Sequence, residues 1–275
     1  MAFTRDDLLA TVELSPQAAG AHDRRGWVGL FAAGGQVDDP VGSRPHRGAA
    51  EIERFYDTFI APRDITFHRD VDLVAGSTVI RDLELEVVMS PSVSMRIPAY
   101  LRYVVAPGPG GPRIDQLQAY WQLPAMIGQF ARAGLGAVPV GLRLAVALLR
   151  NQGPAGAVGF AKGMAGAGRA GRRLVSGLLD DLCAGDTVAV QRRLTADTDI
   201  YLGDDTPLST SGLVERTSGA SWRKLIASGR HLVAGLDLDG SRAVLIADLS
   251  NGPLGIARLR YFGPASPSSH TVVRP

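Results

Sequence analysis

The chain has 275 residues, which exceeds one small domain and suffices for two domains with separate cores. Apolar residues make up 45% and charged residues 20%, and the net charge of +2 argues against a nucleic-acid-binding protein. The single cysteine, Cys183, excludes an intramolecular disulfide, and no uncharged apolar run reaches the roughly 20 residues that span a bilayer. The polar N-terminus lacks the pattern of a signal peptide. We therefore expect a cytoplasmic protein, with peripheral attachment to the inner membrane face as an open alternative.

Helices followed by strands are predicted for the first part of the chain. Thr4 is expected to cap an opening helix with Asp6 and Asp7 in its first turn, and Pro16 to interrupt that helix. Apolar residues at helical spacing predict further helices over residues 23–31 and 49–60. Alternating patterns then predict strands over residues 65–73, 77–89, 95–105 and 114–123. This order indicates an α+β fold with an antiparallel sheet.

The same order recurs more faintly in the second half. A helix pair is predicted from Leu178, and strands are predicted over residues 230–238, 242–249 and 256–262. The turn at residues 237–241 is similar to the turn at residues 73–77, which indicates an internal duplication. We predict two tandem cone-shaped domains, residues 1–123 and 173–275, each a curved antiparallel sheet wrapped by N-terminal helices. A helical, Gly/Ala-rich segment, residues 124–172, joins them.

One motif points to a specific chemistry. Residues 37–43 read Val-Asp-Asp-Pro-Val-Gly-Ser, and the aromatic pair Phe55-Tyr56 follows downstream. This pattern is similar to the ketosteroid isomerases, a family within the SnoaL-like, nuclear-transport-factor-two-like superfamily. The resemblance is strongest over residues 15–60 and looser over the following strands. The alternative interpretation of Asp39-Pro40 is a plain turn between a strand and a loop.

The resemblance implies a double-bond shift in a steroid-like ligand, by proton transfer through a dienolate with Asp39 as the base. The family's two oxyanion donors, a tyrosine and an aspartic acid, fall at Ser15 and Ala99. Losing one such donor commonly lowers a rate by about a hundred- to a thousandfold. Tyr56, Ser15 and Tyr103 are the candidate substitutes. The competing interpretation is that the tyrosines are ordinary core residues.

An apolar cavity is expected around Asp39. Strand alternation places Ala99, Leu101 and Tyr103 on one face and Tyr100 on the other. The apolar lining is predicted to include Trp27, Phe31, Phe55, Phe59, Phe67, Leu101, Tyr103 and Trp121. No cofactor and no metal are expected, because the five histidines are scattered without metal-ligand spacing.

The middle segment is basic, apolar and glycine-rich at once. No acidic residue occurs from Gln116 to Leu179, whereas the span carries Arg132, Arg143, Arg150, Lys162, Arg169, Arg172 and Arg173. Three alternatives stay open: a helical linker, a lid over the mouth of the first cone, and an amphipathic segment lying on an anionic membrane. A lid that opens on a membrane would combine the last two.

The second cone is expected to be degenerate. Aligning Asp186 with Asp23 places Leu202 at the position of Asp39, so the base is lost. We expect this cone to pair with the first within the chain, and a homodimer is a further option. Three functions follow: a ketosteroid-isomerase-like enzyme, a non-catalytic sterol or lipid carrier at the membrane surface, and a scaffold with a vestigial pocket.

Overall fold

The computed structural model describes residues 3–91, 93–132, 137–161 and 166–263. Its helices are α1 (Arg5–Gly20), α2 (Arg24–Gly29), α3 (Gly48–Phe55), α4 (Leu123–Arg132), α5 (Ala137–Ala161), α6 (Gly168–Cys183), α7 (Thr187–Arg193) and α8 (Thr210–Thr217). A π-helical turn, Tyr56–Ile60, extends α3. Its strands are β1 (Phe31–Asp38), β2 (His46–Arg47), β3 (Asp64–Ala75), β4 (Thr78–Ser90), β5 (Val93–Gly108), β6 (Gly111–Tyr120), β7 (Asp199–Leu202), β8 (Thr206–Pro207), β9 (Ser221–Ser228), β10 (His231–Leu238), β11 (Ser241–Leu249) and β12 (Ile256–Phe262).

Side-chain caps mark the starts of helices α1, α2 and α7. Thr4 caps α1 in a reciprocal capping box with Asp7, as the sequence predicts. Asp23 accepts a hydrogen bond from the Gly26 N–H at the start of α2, and Asp186 caps α7 in the same way. The aligned aspartates therefore play one structural role in the two halves.

Two predicted helix boundaries are wrong. Helix α1 continues through Pro16 to Gly20, because its buried apolar face offsets the hydrogen bond that proline cannot make. Helix α2 ends at Gly29 rather than at residue 31. The Leu30 carbonyl accepts a hydrogen bond from the Ile114 N–H, which draws the chain into the sheet.

The strands form two six-stranded sheets with the same topology. The first has the order β2-β1-β6-β5-β4-β3 and the second β8-β7-β12-β11-β10-β9. The α+β prediction with two tandem units is confirmed. The sheets are not wholly antiparallel, because β1 pairs with β6, and β7 with β12, in parallel. Irregular pairing within β3, β4 and β5 marks bulges, which bend strands.

The sheet order corrects the predicted register of the duplication. It aligns the β3–β4 turn with the β9–β10 turn, and the β10–β11 turn with the β4–β5 turn. The proposed match between residues 73–77 and 237–241 is therefore wrong by one hairpin. Gly76 and Gly240 both adopt positive φ, so the similarity reflects what tight turns require in general.

The two sheets pack against each other through their outer faces. Tyr100 and Tyr120 of the first sheet point outward and share an apolar cluster with Ile226, Val233, Val244 and Phe262 of the second. Polar contacts frame this cluster: Asp204 accepts hydrogen bonds from Thr78, Arg102 and Arg260, while Asp82 contacts Lys224 and Arg223. The chain thus contains an internal pair of units.

Helices α4 and α5 of the middle segment lie over the end of the first sheet. The Gln129 side chain forms two hydrogen bonds with the backbone of Arg96 on β5, which ties α4 to the sheet. The Asn151 amide of α5 donates to the Thr58 hydroxyl in the π-helical turn. None of the described helices is long and apolar enough to cross a membrane.

Candidate functional site

A cavity of about 340 Å³ lies inside the first unit, between the inner face of the sheet and helices α1 to α5. This volume falls within the range of about 300–1,000 Å³ that is typical of small-molecule sites. Its walls are mostly aliphatic and aromatic. The polar or charged side chains on the wall are those of Ser15, Asp39, Arg63 and Tyr103, together with the indole N–H groups of Trp27 and Trp121.

Asp39 enters the cavity from the loop that follows β1. Asp38, one residue earlier, points to the other face of the sheet, where it accepts hydrogen bonds from Gln36, Gln116 and Gln118. The Asp39 Oδ1 atom instead accepts a hydrogen bond from Trp121 Nε1 at 2.6 Å. The Val41 N–H donates to the Ala119 carbonyl and returns the loop to the sheet edge. Two adjacent carboxylates are thus separated by the sheet.

The surroundings of Asp39 adjust its acidity. Burial in the apolar cavity raises the pKa of Asp39 to about 6, and the Trp121 hydrogen bond and the positive charge of Arg63 oppose that rise. A carboxylate with this pKa is mostly ionised at neutral pH and still basic enough to accept a proton. It has the properties that a general base requires.

Arg63 places a buried cation on the same wall. Its guanidinium donates hydrogen bonds to the Thr58 and Phe59 carbonyls at the end of the π-helical turn, and it lies 5.8 Å from the centre of the Phe59 ring. Burial lowers the pKa of Arg63 to about 10. The guanidinium therefore stays charged at neutral pH and is held by backbone groups.

Two hydroxyl groups on the wall could donate to a ligand. Ser15 Oγ accepts a hydrogen bond from Trp27 Nε1 at 3.2 Å. Tyr103 Oη is buried, lies near the Ser15 hydroxyl and has no partner at full hydrogen-bond geometry among the described residues. Burial raises the pKa of Tyr103 to about 12, so this hydroxyl stays protonated and can donate.

The structure gathers most of the predicted site residues on one wall. Those that line the cavity are Asp39, Ser15, Trp27, Phe55, Phe59, Phe67, Leu101, Tyr103 and Trp121. The other three, Phe31, Tyr56 and Ala99, belong to the core behind the wall. The Tyr56 and Phe31 rings pack against Trp27 at 5.6 and 4.9 Å, which keeps them from the wall. The Tyr56 hydroxyl is buried and unpartnered among the described residues, and it does not face the cavity.

The sequence did not predict Arg63 or the residues of α4 and α5 at the mouth of the cavity. No motif marks Arg63, which lies in the short connection between the π-helical turn and β3. Five residues of α4 and α5 complete the cavity wall: Met126, Ile127, Phe130, Gly141 and Leu144. The apolar character of the middle segment is the one sequence feature that indicates these residues. Their position on the cavity wall fits the alternative in which this segment is a lid. Among the described residues, no three metal-ligating side chains come together.

The second unit differs at the equivalent place. Leu202 ends β7 and packs on an apolar cluster formed by α6, α7, α8 and the second sheet. The aspartate of the following turn, Asp204, faces the partner unit and contacts Arg102 at 2.7 Å. The second unit therefore uses this carboxylate to pair the sheets.

Comparison with known proteins gives a likeness of fold. No family model matches the sequence. Similar solved structures include a Mycobacterium tuberculosis protein in complex with estradiol-17β-hemisuccinate, at 23% identity over 43% of this chain and 95% of that one, with a TM-score of 0.39. A Δ5-3-ketosteroid isomerase from a Mycobacterium species gives 24% identity, the same shares of the two chains and a TM-score of 0.40.

An LEH-like epoxide hydrolase from M. tuberculosis is also similar, at 16% identity over 50% of this chain and 97% of that one, with a TM-score of 0.41. These structures include the group that the motif around Asp39 predicts. Each of these likenesses covers half of this chain or less. At these identities the likeness concerns the fold alone.

Proposed function

We propose that the first unit is an enzyme that shifts a carbon–carbon double bond in a steroid-like carbonyl compound, with Asp39 as the proton-transferring base. One observation supports this proposal above the others. The Asp39 carboxylate, held by Trp121, stands in a cavity whose wall is otherwise almost entirely apolar. A buried base beside space for a fused-ring ligand is what proton abstraction next to a carbonyl requires.

The reaction needs no group beyond the residues of the wall. Asp39 accepts a proton from the carbon between the carbonyl and the double bond, and the electron pair moves onto the carbonyl oxygen to give a dienolate. The protonated Asp39 then returns the proton to the γ carbon, and the double bond becomes conjugated with the carbonyl. Asp39 ends the cycle ionised, so no external base is consumed.

The dienolate oxygen requires stabilisation, because the two donors of the ketosteroid isomerases are absent here. We assign this role to the Tyr103 hydroxyl, with Ser15 as a second donor, since both line the cavity. Arg63 adds a fixed positive charge that favours anionic species in a site that excludes water. Preorganised donors of this kind commonly contribute about a hundred- to a thousandfold each.

The test is conversion of a 5-ene to a 4-ene 3-ketosteroid, followed by ultraviolet absorbance. Asp39→Asn keeps an acceptor for the Trp121 N–H and removes the base, so the rate should fall by about a hundred- to ten-thousandfold. Asp38→Asn is the matched control, because it changes the neighbouring carboxylate on the opposite face. An active wild type with an unaffected Asp39→Asn variant would refute the role of Asp39.

A non-catalytic carrier is the second candidate, and the covering of the mouth by α4 and α5 favours it. In this alternative the cavity holds a sterol or lipid, and the ligand is exchanged with a membrane surface through the middle segment. Steroid binding that quenches Trp27 or Trp121 fluorescence, with no turnover in wild type, would support the carrier. The open cavity argues against a scaffold with a vestigial pocket.

A further inference from the structure

Helix α5 has apolar residues on two different sides. Gly141 and Leu144 belong to the cavity wall. The other side exposes between 54% and 66% of each of four residues, Val138, Leu142, Val146 and Leu149. Their spacing of four, four and three residues places them on one face of a helix. We call these four side chains the outer face of α5.

The outer face is unusual for this molecule. Eight large apolar side chains are exposed in the described part of the chain. Four of them form the outer face of α5, and a fifth, Ile127, lies on the neighbouring helix α4. Single exposed apolar residues are common, whereas a continuous patch on one helix marks an interaction surface. The cavity wall and this patch are two sides of the same helix, so a surface that covers the patch lies next to the cavity mouth.

The charged residues within α4 and α5 are all arginines. Arg143 and Arg150 are exposed and follow Leu142 and Leu149 directly, which places them at the edge of the face. No acidic residue occurs between Gln116 and Leu179. A symmetric contact with a second copy would bring these arginines against one another, whereas an anionic bilayer supplies the opposite charge. Lys162, also in this basic stretch, lies outside the described residues.

We propose that the outer face of α5 docks on an anionic lipid bilayer with the helix lying flat in the interface. Arg143 and Arg150 contact lipid phosphates, and the four apolar side chains enter the acyl boundary. Docking would place the cavity mouth at the lipid surface, where an apolar ligand is most concentrated. That consequence for ligand entry rests on the proposed function, whereas the docking itself does not.

Vesicle co-sedimentation of the full chain tests the docking without any steroid. Wild type should sediment with vesicles that contain phosphatidylglycerol and stay in solution with phosphatidylcholine alone. The double variant Leu142→Ser/Leu149→Ser should lose at least about tenfold in partition coefficient. Its matched control is Val188→Ser/Leu254→Ser, which changes residues of similar exposure, 56% and 53%, in the second half and should bind like wild type.

A second pair of variants isolates the charge. Arg143→Gln/Arg150→Gln should lower binding to phosphatidylglycerol vesicles by about thirtyfold, since each basic residue near such a surface contributes about a fivefold factor. The control, Arg25→Gln/Arg192→Gln, removes two exposed arginines of α2 and α7 and should change little.

Three results would overturn the proposal: no vesicle binding by wild type, equal losses in the control variants, or a concentration-dependent dimer that Leu142→Ser/Leu149→Ser abolishes. The last result would assign the outer face to self-association. Asp39→Asn should bind vesicles like wild type, because Asp39 faces the cavity. A failure of the docking is therefore separable from a failure of the isomerase assay.

Discussion

Two loops at equivalent places in the two sheets each present an aspartate. The loop after β1, residues 39–45, directs Asp39 into the cavity, where Trp121 donates to it. The loop after β7 has only the three residues 203–205, and its Asp204 points to the other unit. Both loops contact the other unit, the longer one through the Val41 carbonyl, which accepts a hydrogen bond from the Ser228 hydroxyl. The longer loop also presents a carboxylate to the cavity. The same order of elements therefore supports a site in one unit and a pairing surface in the other.

The two sheets also differ in the length of their strands. Strands β3 to β6 have 12, 13, 16 and 10 residues, whereas β9 to β12 have 8, 8, 9 and 7. The first sheet extends further along its strands, and α4 and α5 close the space beyond its own helices. The second sheet is covered by α6, α7 and α8. The cavity thus depends on long strands and on helices supplied from outside the unit.

The largest expected effect comes from breaking the pairing of the two sheets. Asp82 is 2% exposed and contacts Lys224 and Arg223 across the interface. Asp82→Ala leaves these cations without their partner and should lower the free energy of unfolding by about 3–5 kcal/mol. Urea denaturation measures this change. Asp70→Asn also removes a partner of Arg223, but at 46% exposure it should change stability by less than about 1 kcal/mol.

Opposite signs are expected for the two loop aspartates. Because the pKa of Asp39 is raised in the folded state, its ionisation opposes folding, and this cost grows as pH rises from about 4 to about 6. Asp39→Asn should therefore stabilise the protein at pH 7 by up to about 3 kcal/mol, and this gain should vanish below about pH 4. Asp204→Asn should destabilise by about 1–3 kcal/mol, because it weakens contacts with Arg102 and Arg260. Thermal denaturation at pH 4 and pH 7 separates these effects, and equal signs would contradict the comparison.

The hydrogen bond from Trp121 helps to set the acidity of Asp39. The bond lowers the pKa of Asp39, so Trp121→Phe should raise it by about one unit. The base form is the active form, hence kcat/KM should fall below about pH 6 in wild type and below about pH 7 in the variant. Trp27→Phe is the control, since it loses a hydrogen bond to Ser15 on the same wall. A midpoint unchanged in Trp121→Phe would refute this role.

The smallest effect concerns the helices that cover the cavity. Gln129→Ala removes the two hydrogen bonds between α4 and the backbone of β5, worth about 1 kcal/mol in sum. Opening of the mouth should become easier, and stopped-flow fluorescence should show steroid release up to about fivefold faster. Gln122→Ala is the control, because Gln122 lies just before α4 and bonds to Leu225 of the second unit. Equal release rates in all three proteins would mean that α4 does not limit exchange.

Patterns within short stretches of sequence correctly predicted the features that depend on neighbouring residues. Strand alternation correctly separated Ala99, Leu101 and Tyr103 from Tyr100, since side chains on neighbouring positions face opposite sides. The run of residues 37–43 predicts Asp39 as a site residue, and the structure places its side chain on the cavity wall. Tyr56, by contrast, was expected at the site and lies behind Trp27, because its direction depends on the π-helical turn. Arg63 and the lining residues of α4 and α5 were missed for a related reason: their contacts join segments far apart in sequence.

The alignment of the two halves also depends on contacts between segments that are far apart in sequence. Similar glycine turns led to a match one hairpin out of step, and only the complete strand order corrected it. The capping aspartates Asp23 and Asp186 were the better guide, because a cap has a fixed place relative to its helix.

The joining of the two units in one chain has a consequence for binding curves. A pair of separate subunits falls apart on dilution and carries two equal sites, whereas these units are held together at any concentration. Within the ranges that the structure describes, the inward carboxylate, Asp39, belongs to the first unit. Titration with an apolar ligand should therefore saturate at one molecule per chain, along a simple hyperbola whose midpoint does not depend on protein concentration.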